Sequence, residues 1–175
     1  MNTESLRLFF AVETPDDVKK EFSAISKSFG SLWRPVSPHQ LHITLAFMGE
    51  VPEAQLNRVL DAGNSAAAVF SSFDLELKDI GYFPDNKRPG ILFSHVHSDG
   101  TLSLLAENLS RSLSDLADKK SFKPHLTIAR NRDRAGNQLN LSFKASWHVN
   151  SFVLFKSTFQ QSSVRHDIVK RFELK

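Results

Sequence analysis

Alternation of apolar and polar residues predicts several strands in this 175-residue chain. Leu6, Leu8, Phe10 and Val12 are separated by single residues, which is the two-residue period of a half-buried strand. Similar apolar runs predict further strands over Gln40–Met48, Phe73–Ile80, Ile91–Val96, Pro124–Ala129, Trp147–Phe155 and Arg165–Leu174. The polar segment Ser157–Ser163 is expected to join the last two of these.

Apolar residues at helical spacing predict three helices between the strands. The first runs from Pro15 to Phe29 and begins with a threonine cap, a proline at the first position and two acidic residues. The second follows Pro52, and the third follows Gly100. The order helix, loop and histidine-containing strand occurs twice. We therefore expect two similar halves, related by an approximate twofold axis, whose histidine strands meet at one cleft.

The tripeptides His42-Ile43-Thr44 and His125-Leu126-Thr127 lie in two of the predicted strands. Strand side chains alternate between faces, so each histidine faces the same way as the threonine two residues later. Two histidines with neighbouring hydroxyl groups suit phosphate chemistry in which one proton is taken and another is given. One such tripeptide among seven histidines would be weak evidence. Two copies in corresponding strands favour a shared site over two half-buried structural histidines.

The composition excludes several other classes of protein. The chain has no cysteine, which excludes a disulfide scaffold, thiolate metal sites and a cysteine nucleophile. No apolar stretch approaches the roughly 20 residues of a membrane span, and the N-terminus lacks the layout of a signal peptide. We therefore expect a cytoplasmic protein.

Basic residues are concentrated in the last third of the chain. Residues 1–118 contain 10 Lys or Arg and 16 Asp or Glu, whereas residues 119–175 contain 12 and 3. The second His-x-Thr motif lies in the basic part. A local basic surface suits a polyanion, because Lys and Arg displace counterions from phosphates, although a solvated basic face without a partner has the same composition.

The residues around the two motifs resemble a known superfamily. Leu41–Gly49 reads L-H-x-T-L-A-F-x-G, Phe122–Arg130 contains P-H-x-T-[hydrophobic]-x-R, and Arg7–Ala11 lies near the start. Together they closely resemble the 2H phosphoesterase superfamily, and within it the bacterial RNA 2′,3′-cyclic phosphodiesterases, long called 2′-5′ RNA ligases. The resemblance covers nearly the whole chain in length and motif order. It implies an α+β fold and a single domain over residues 1–175. That domain would have two pseudo-symmetric lobes of mainly antiparallel sheet, outer helices and an active-site cleft between the lobes.

The resemblance also implies an activity. This is hydrolysis of an RNA or nucleotide 2′,3′-cyclic phosphate to a terminal 2′-phosphomonoester, without a metal or cofactor and with 2′-5′ ligation as a reverse reaction. It assigns His42 as proton donor and His125 as proton acceptor, an order that the symmetry of the two motifs leaves open. The hydroxyl groups of Thr44 and Thr127 can stabilise charge on the non-bridging oxygens. The expected partners are RNA ends or nucleotides with a cyclic phosphate, and the expected state is a monomer without an obligate protein partner.

Four further residues are candidates for substrate binding. Arg130 can bind phosphate as a bidentate donor, but strict alternation places it on the opposite face from His125, so it would act from the end of the strand. A surface salt bridge is an equal alternative. Phe9 could stack on a base, although most of the 15 phenylalanines are expected in the core. Ser157 and Phe159 lie in a K-S-x-F segment that resembles the late strand of the family.

Other functions compete with this one. The motifs could bind a nucleotide or RNA end without turning it over, or the enzyme could act on another cyclic or 2′-5′-linked substrate. His95 and His97 share one face of a strand and could bind a metal, although the sequence offers no third ligand nearby. His148 and His166 have no supporting context.

Overall fold

The computed structural model describes residues 4–85, 87–131, 139, 141–161 and 163–175. These residues form strands β1 (Ser5–Glu13), β2 (Arg34–Pro35), β3 (His42–Pro52), β4 (Phe73–Phe83), β5 (Ile91–His97), β6 (His125–Arg130), β7 (Ala145–Val149), β8 (Ser151–Phe159) and β9 (Val164–Glu173). The helices are α1 (Asp16–Ser26), α2 (Leu56–Val69) and α3 (Thr101–Ser112), with short 3₁₀ turns at Pro38–Gln40 and Glu53–Gln55. No helix among the described residues is long and apolar enough to cross a membrane.

Two antiparallel sheets make up the two lobes. The first has strand order β3-β1-β8-β9, and the second has order β2-β6-β5-β4-β7. Each sheet contains one His-x-Thr strand, β3 in the first and β6 in the second, and these two strands approach each other. The predicted fold class, α+β with two lobes of antiparallel sheet and outer helices, is confirmed.

Helices α1 and α3 start where the sequence predicts, whereas α2 starts at Leu56, after the 3₁₀ turn that follows Pro52. Helix α1 begins after Pro15 and buries Val18 and Phe22, but it ends at Ser26 rather than at Phe29. Helix α3 follows Gly100, whose φ of 103° lies in the left-handed region that favours glycine.

The predicted strand Trp147–Phe155 is in fact two strands in different sheets. β7 pairs with β4 of the second sheet, whereas β8 pairs with β1 of the first. Asn150 lies between them, where the chain passes from one lobe to the other. The segment Ser157–Ser163 was predicted as a connection, but its first three residues extend β8 and pair with β9. The apolar residues on either side of Asn150 cannot reveal such a change of sheet, because residues buried in either sheet look alike.

The buried apolar residues form two separate clusters. The large one includes residues from all three helices and from both sheets. The small one consists of Phe9, Ala11, Val153 and Phe155, with Phe47 packed against it. These residues alternate along β1 and β8 with members of the large cluster, so they occupy the opposite face of the first sheet. We call this small cluster the cleft floor, because Phe9 and Phe47 line the cavity between the lobes.

Candidate active site

Both His-x-Thr motifs lie in a single cleft between the two sheets, with a cavity volume of about 680 Å³. The described residues that line it include no carboxylate. Its charged and titratable lining residues are Arg7, Arg34, Arg130, His42, His125 and His166. The volume is typical of a small-molecule site, and the lining suits an anionic ligand.

The two motif histidines are fixed in the same way by the chain before them. Nδ1 of His42 lies 2.6 Å from the carbonyl oxygen of Gln40, and Nδ1 of His125 lies 2.6 Å from that of Lys123. A carbonyl oxygen can only accept, so Nδ1 carries the hydrogen in both rings. This leaves Nε2 of each ring to take a proton when neutral or to give one when charged.

The threonines of the motifs lie on the cleft side of their strands. Thr44 and Thr127 both line the cavity, whereas the intervening Ile43 and Leu126 are completely buried in the main core. The alternation expected for a strand is therefore present in both motifs. Each histidine has a hydroxyl group beside it that can donate a hydrogen bond to a ligand in the cleft.

Arg130 reaches the cleft because β6 contains a bulge. Strand β5 pairs with Ala129 and then with Thr127, which leaves Ile128 as an extra residue. An extra residue in a strand moves the following side chains to the other face. Strict alternation predicts that Arg130 faces away from His125, and the bulge makes this prediction wrong: the arginine lines the cavity with the motif.

The first motif has an equivalent bulge. Strand β1 pairs with Ala46 and then with Thr44, so Leu45 is the extra residue, and Phe47 lines the cleft. Phe47 follows its histidine by five residues, as Arg130 does. The sequence reasoning missed Phe47. The signal that could have found it is the matched position five residues after each histidine.

Aromatic rings enclose His42. Its ring centroid lies 5.0 Å from that of Phe9, 6.0 Å from Phe155 and 5.4 Å from His166, which meets it edge-on at 87°. Phe9 and Phe155 are themselves buried in the cleft floor. These contacts restrict rotation of the imidazole and cover part of it, while the half-buried ring still lines the cleft.

Burial is the main cause of an unusual pKa at this histidine. It lowers the pKa of His42 to about 4, an effect that the hydrogen bond to Gln40 opposes and that the nearby His166, His125 and Arg130 reinforce. His42 is therefore neutral in the unliganded cleft near pH 7. A bound anion favours the charged imidazolium and raises this pKa.

His125 has its own pair of aromatic neighbours. Phe83 and Phe93 stack on each other at 4.1 Å, and their ring centroids lie 5.4 and 5.7 Å from that of His125. Gly81 makes this arrangement possible, because a Cβ atom there would lie 2.6 Å from the ring of Phe93. The glycine lets the Phe93 ring cross β4 and support the histidine.

His166 is a third imidazole in the cleft, and the sequence reasoning missed it. Besides its contact with His42, its ring lies 5.0 Å from that of Phe9, and its Nδ1 lies 3.1 Å from Oγ of Ser157. Its pKa is lowered, mainly by burial, against the opposing charge of Asp167. Only the pairing of β8 with β9 places Ser157 opposite His166.

The remaining predicted residues line the cleft in different ways. Phe9 is only 3% exposed and is covered by other rings, so it supports His42 rather than offering a face to a base. Phe159 is 66% exposed at the cleft and therefore offers the open aromatic surface. The guanidinium carbon of Arg7 lies 4.9 Å from the ring centroid of Phe47 and 5.3 Å from that of Phe159. Ser157 is buried beneath them and holds His166.

The two histidines considered for metal binding lie outside this cleft. His95 and His97 are both exposed on β5, and neither lines the cavity. The described part of the chain contains no group of three or more histidine, cysteine or carboxylate side chains that could hold a metal ion.

Part of this chain matches a protein-family model. The model described as LigT-like phosphoesterase matches residues 12–93, a range that includes the first motif and ends before the second. RNA 2′,3′-cyclic phosphodiesterase of Thermus thermophilus is 33% identical over 97% of this chain and 91% of its own length. The protein of the same name from Escherichia coli is 27% identical over 98% of both chains.

Solved structures are similar over both lobes. TT0787 of Thermus thermophilus has a TM-score of 0.84 at 33% identity and covers 96% of this chain and 97% of its own. LigT of Escherichia coli in its apo form also has a TM-score of 0.84, at 26% identity, with 98% of each chain covered. LigT has also been solved in complex with 3′-AMP, and that structure has a TM-score of 0.81.

Proposed function

This chain belongs to the LigT-like phosphoesterase family, and on that premise we propose that it hydrolyses 2′,3′-cyclic phosphate ends of RNA or nucleotides. The curated relatives that cover most of the chain carry the name RNA 2′,3′-cyclic phosphodiesterase. The observation that carries the proposal is the pair of histidines in one cleft. Each has Nδ1 fixed on the carbonyl oxygen two residues earlier, which leaves Nε2 for proton transfer.

In the proposed reaction, water attacks the phosphorus of the cyclic diester. Neutral His125 accepts a proton from the attacking water at Nε2, and charged His42 donates its proton to the departing 3′ oxygen of the ribose. One phosphorus–oxygen bond forms and another breaks, so the product is a terminal 2′-phosphomonoester. His125 then loses its proton to solvent, and His42 is left neutral, as it is in the empty cleft, until the next substrate binds and it takes up a proton.

Hydrogen-bond donors on the cleft wall support this chemistry. Charge grows on the two non-bridging oxygens as the new bond forms, and fixed donors lower the barrier most at that stage. Thr44 and Thr127 supply hydroxyl groups beside the two histidines, and Arg130 supplies a guanidinium group on the same wall as His125. We propose that these three side chains bind the reacting phosphate.

The order of donor and acceptor rests on the family resemblance. In the empty cleft, burial keeps His42 neutral, which by itself would favour the opposite order. The cyclic phosphate carries one negative charge, and a negative charge beside the ring raises the pKa of His42. We propose that substrate binding itself charges the donor, so that proton uptake accompanies binding.

Neither proton transfer requires a metal ion, and we propose that the reaction proceeds without one. The reverse joining reaction would use the same site with an RNA hydroxyl group in place of water. Water at about 55 M normally wins this competition, so we place ligation second. The competing hypothesis of a binding module predicts a bound nucleotide and no product.

The test is incubation with a panel of 2′,3′-cyclic mononucleotides and cyclic-ended oligonucleotides, with and without EDTA. We expect turnover in both conditions, with phosphorus NMR identifying a 2′-phosphate. His97→Ala is the matched control, because His97 is an exposed histidine outside the cleft, and it should keep parental activity. Loss of activity both with EDTA and in His97→Ala would instead support the metal-dependent alternative. Tight binding without product after long incubation would support the binding module.

A further inference from the structure

Two arginines on the cleft wall face each other across neighbouring strands. Arg34 on β2 and Arg130 on β6 are register partners in an antiparallel pair, and both are exposed and line the cavity. Like charges placed directly opposite each other in a sheet repel and lower its stability. The pairing of β2 with β6 is therefore strained electrostatically when the cleft is empty, and a bound anion would relieve that strain.

Acidic side chains in the described part of the chain do not neutralise this pair. Within the residues that the structure describes, neither Arg34 nor Arg130 forms an ion pair with a carboxylate. The third arginine of the cleft, Arg7, has the carboxylate of Glu50 at 3.4 Å. The two guanidinium groups therefore present their charge to the cavity.

The short strand β2 holds Arg34 in this position. It has only two residues, and the second is Pro35, whose ring restricts the backbone. The chain is secured just after it by a hydrogen bond of 2.9 Å from the backbone N–H of Val36 to the carbonyl oxygen of Ile128. Arg34 is thus fixed opposite Arg130 instead of moving with a free loop.

One phosphate accounts for only one of these arginines. The cyclic phosphate of the proposed reaction carries a single negative charge and reacts between His42 and His125. Arg130 lies close enough to this centre to lower the pKa of His42. Arg34 lies one strand further out, on β2 at the edge of the sheet. It is therefore placed to meet a second anion next to the first.

We propose that Arg34, next to the Arg130 that binds the reacting phosphate, binds a second phosphate, the one attached to the 5′ oxygen of the nucleoside whose cyclic phosphate is hydrolysed. In RNA this group is the last internucleotide phosphate, and in a free nucleotide it is a 5′-phosphate. Guanidinium groups suit it because they bind phosphate oxygens in a bidentate manner. The inference rests on the proposed function and specifies its substrate class.

The test compares kcat/KM for three substrates: adenosine 2′,3′-cyclic phosphate, its 5′-phosphorylated form, and a dinucleotide that ends in a cyclic phosphate. We expect kcat/KM of the parent protein to be about tenfold higher on the two substrates that carry the second phosphate than on adenosine 2′,3′-cyclic phosphate. This factor is at the low end of what a hydrogen bond to a charged group contributes. Arg34→Ala should lower kcat/KM on the 5′-phosphorylated nucleotide and on the dinucleotide by about tenfold more than on adenosine 2′,3′-cyclic phosphate. A higher kcat/KM on the 5′-phosphorylated mononucleotide would indicate that the second phosphate comes from a free nucleotide. A higher value on the dinucleotide would indicate that it comes from an RNA end.

Two further variants separate binding from a structural role. Arg34→Glu converts the like-charge pair into an opposite-charge pair, so its melting temperature should not fall while its preference for the second phosphate disappears. Arg111→Ala removes an exposed arginine of α3 outside the cleft, and it should keep the parental preference.

Equal kcat/KM on all three substrates in the parent would overturn the second-phosphate site. So would an equal loss on all three in Arg34→Ala. No turnover of any of the three would overturn the proposed function itself, and with it this site.

Discussion

Replacing His42 by asparagine is expected to change how the stability of the protein depends on pH. Folding lowers the pKa of His42 from 6.5 to about 4, because the ring is buried against the cleft floor. The unfolded chain then binds a proton at this residue in a pH range where the folded chain does not. Stability is fully present above the unfolded pKa and is lost as the pH falls toward the folded one. The full difference between the folded and unfolded pKa corresponds to about 3 kcal/mol in the free energy of unfolding. About 2 kcal/mol of this is lost between pH 7.5 and pH 5.

Urea unfolding at these two pH values measures the effect. The free energy of unfolding of the parent should fall by about 2 kcal/mol more than that of His42→Asn, since all other titrating groups are common to both. His97→Asn, which replaces an exposed ring, should fall as much as the parent. An equal fall in the parent and in His42→Asn would refute the claim that folding buries a neutral imidazole there. Proton NMR titration of the His42 ring would give the pKa directly.

Three further predictions concern the cleft. Thr127→Val removes a hydroxyl group at nearly constant volume and should lower kcat about 100-fold. Thr127→Ser keeps the hydroxyl group and should restore most of the lost kcat. Parental kcat in the valine variant would exclude an electrostatic role for the hydroxyl group. On a p-nitrophenyl phosphodiester, the leaving group needs no proton, so His42→Ala should lose much less activity than it does on a cyclic nucleotide. His125→Ala should lose as much activity on both substrates. The reverse pattern would exchange the donor and acceptor. His166→Phe keeps an aromatic ring beside His42 but removes a group whose protonated form repels a charged His42, so NMR titration should report a higher pKa for His42. An unchanged or lower pKa would contradict an electrostatic effect of His166 on His42.

Local patterns were enough to predict the centre of the site. Strict alternation put His42 and Thr44 on one face and Ile43 on the other, and the second motif followed the same rule. The repeated order of helix, loop and strand placed the two motifs in one cleft. Both inferences need only the period of a strand and the order of the elements, which a single sequence contains.

The residues beyond each motif depended on pairing that a single sequence does not contain. Leu45 and Ile128 are extra residues only relative to the neighbouring strands, so the bulges that turn Phe47 and Arg130 into the cleft cannot be read from their own segments. His166 likewise gained its context from the register between two strands.

The position of Arg34 in the cleft also could not be predicted from its own segment. It lies in a proline-containing segment that reads as a loop, and a strand of two residues has no periodicity to detect. Only the hydrogen-bonded neighbour β6 gives this residue its position opposite Arg130. Long-range pairing of this kind decides which charges share a cavity, and it has no local signature.

The most direct test of the two-histidine chemistry is kcat/KM on a 2′,3′-cyclic nucleotide for His42→Ala, His125→Ala and the double variant. If the two rings act as one acid–base pair, each single variant should lose at least about 100-fold, and the double variant should be about as slow as either single one. Near-parental activity in either single variant, with circular dichroism confirming that it is folded, would contradict the account.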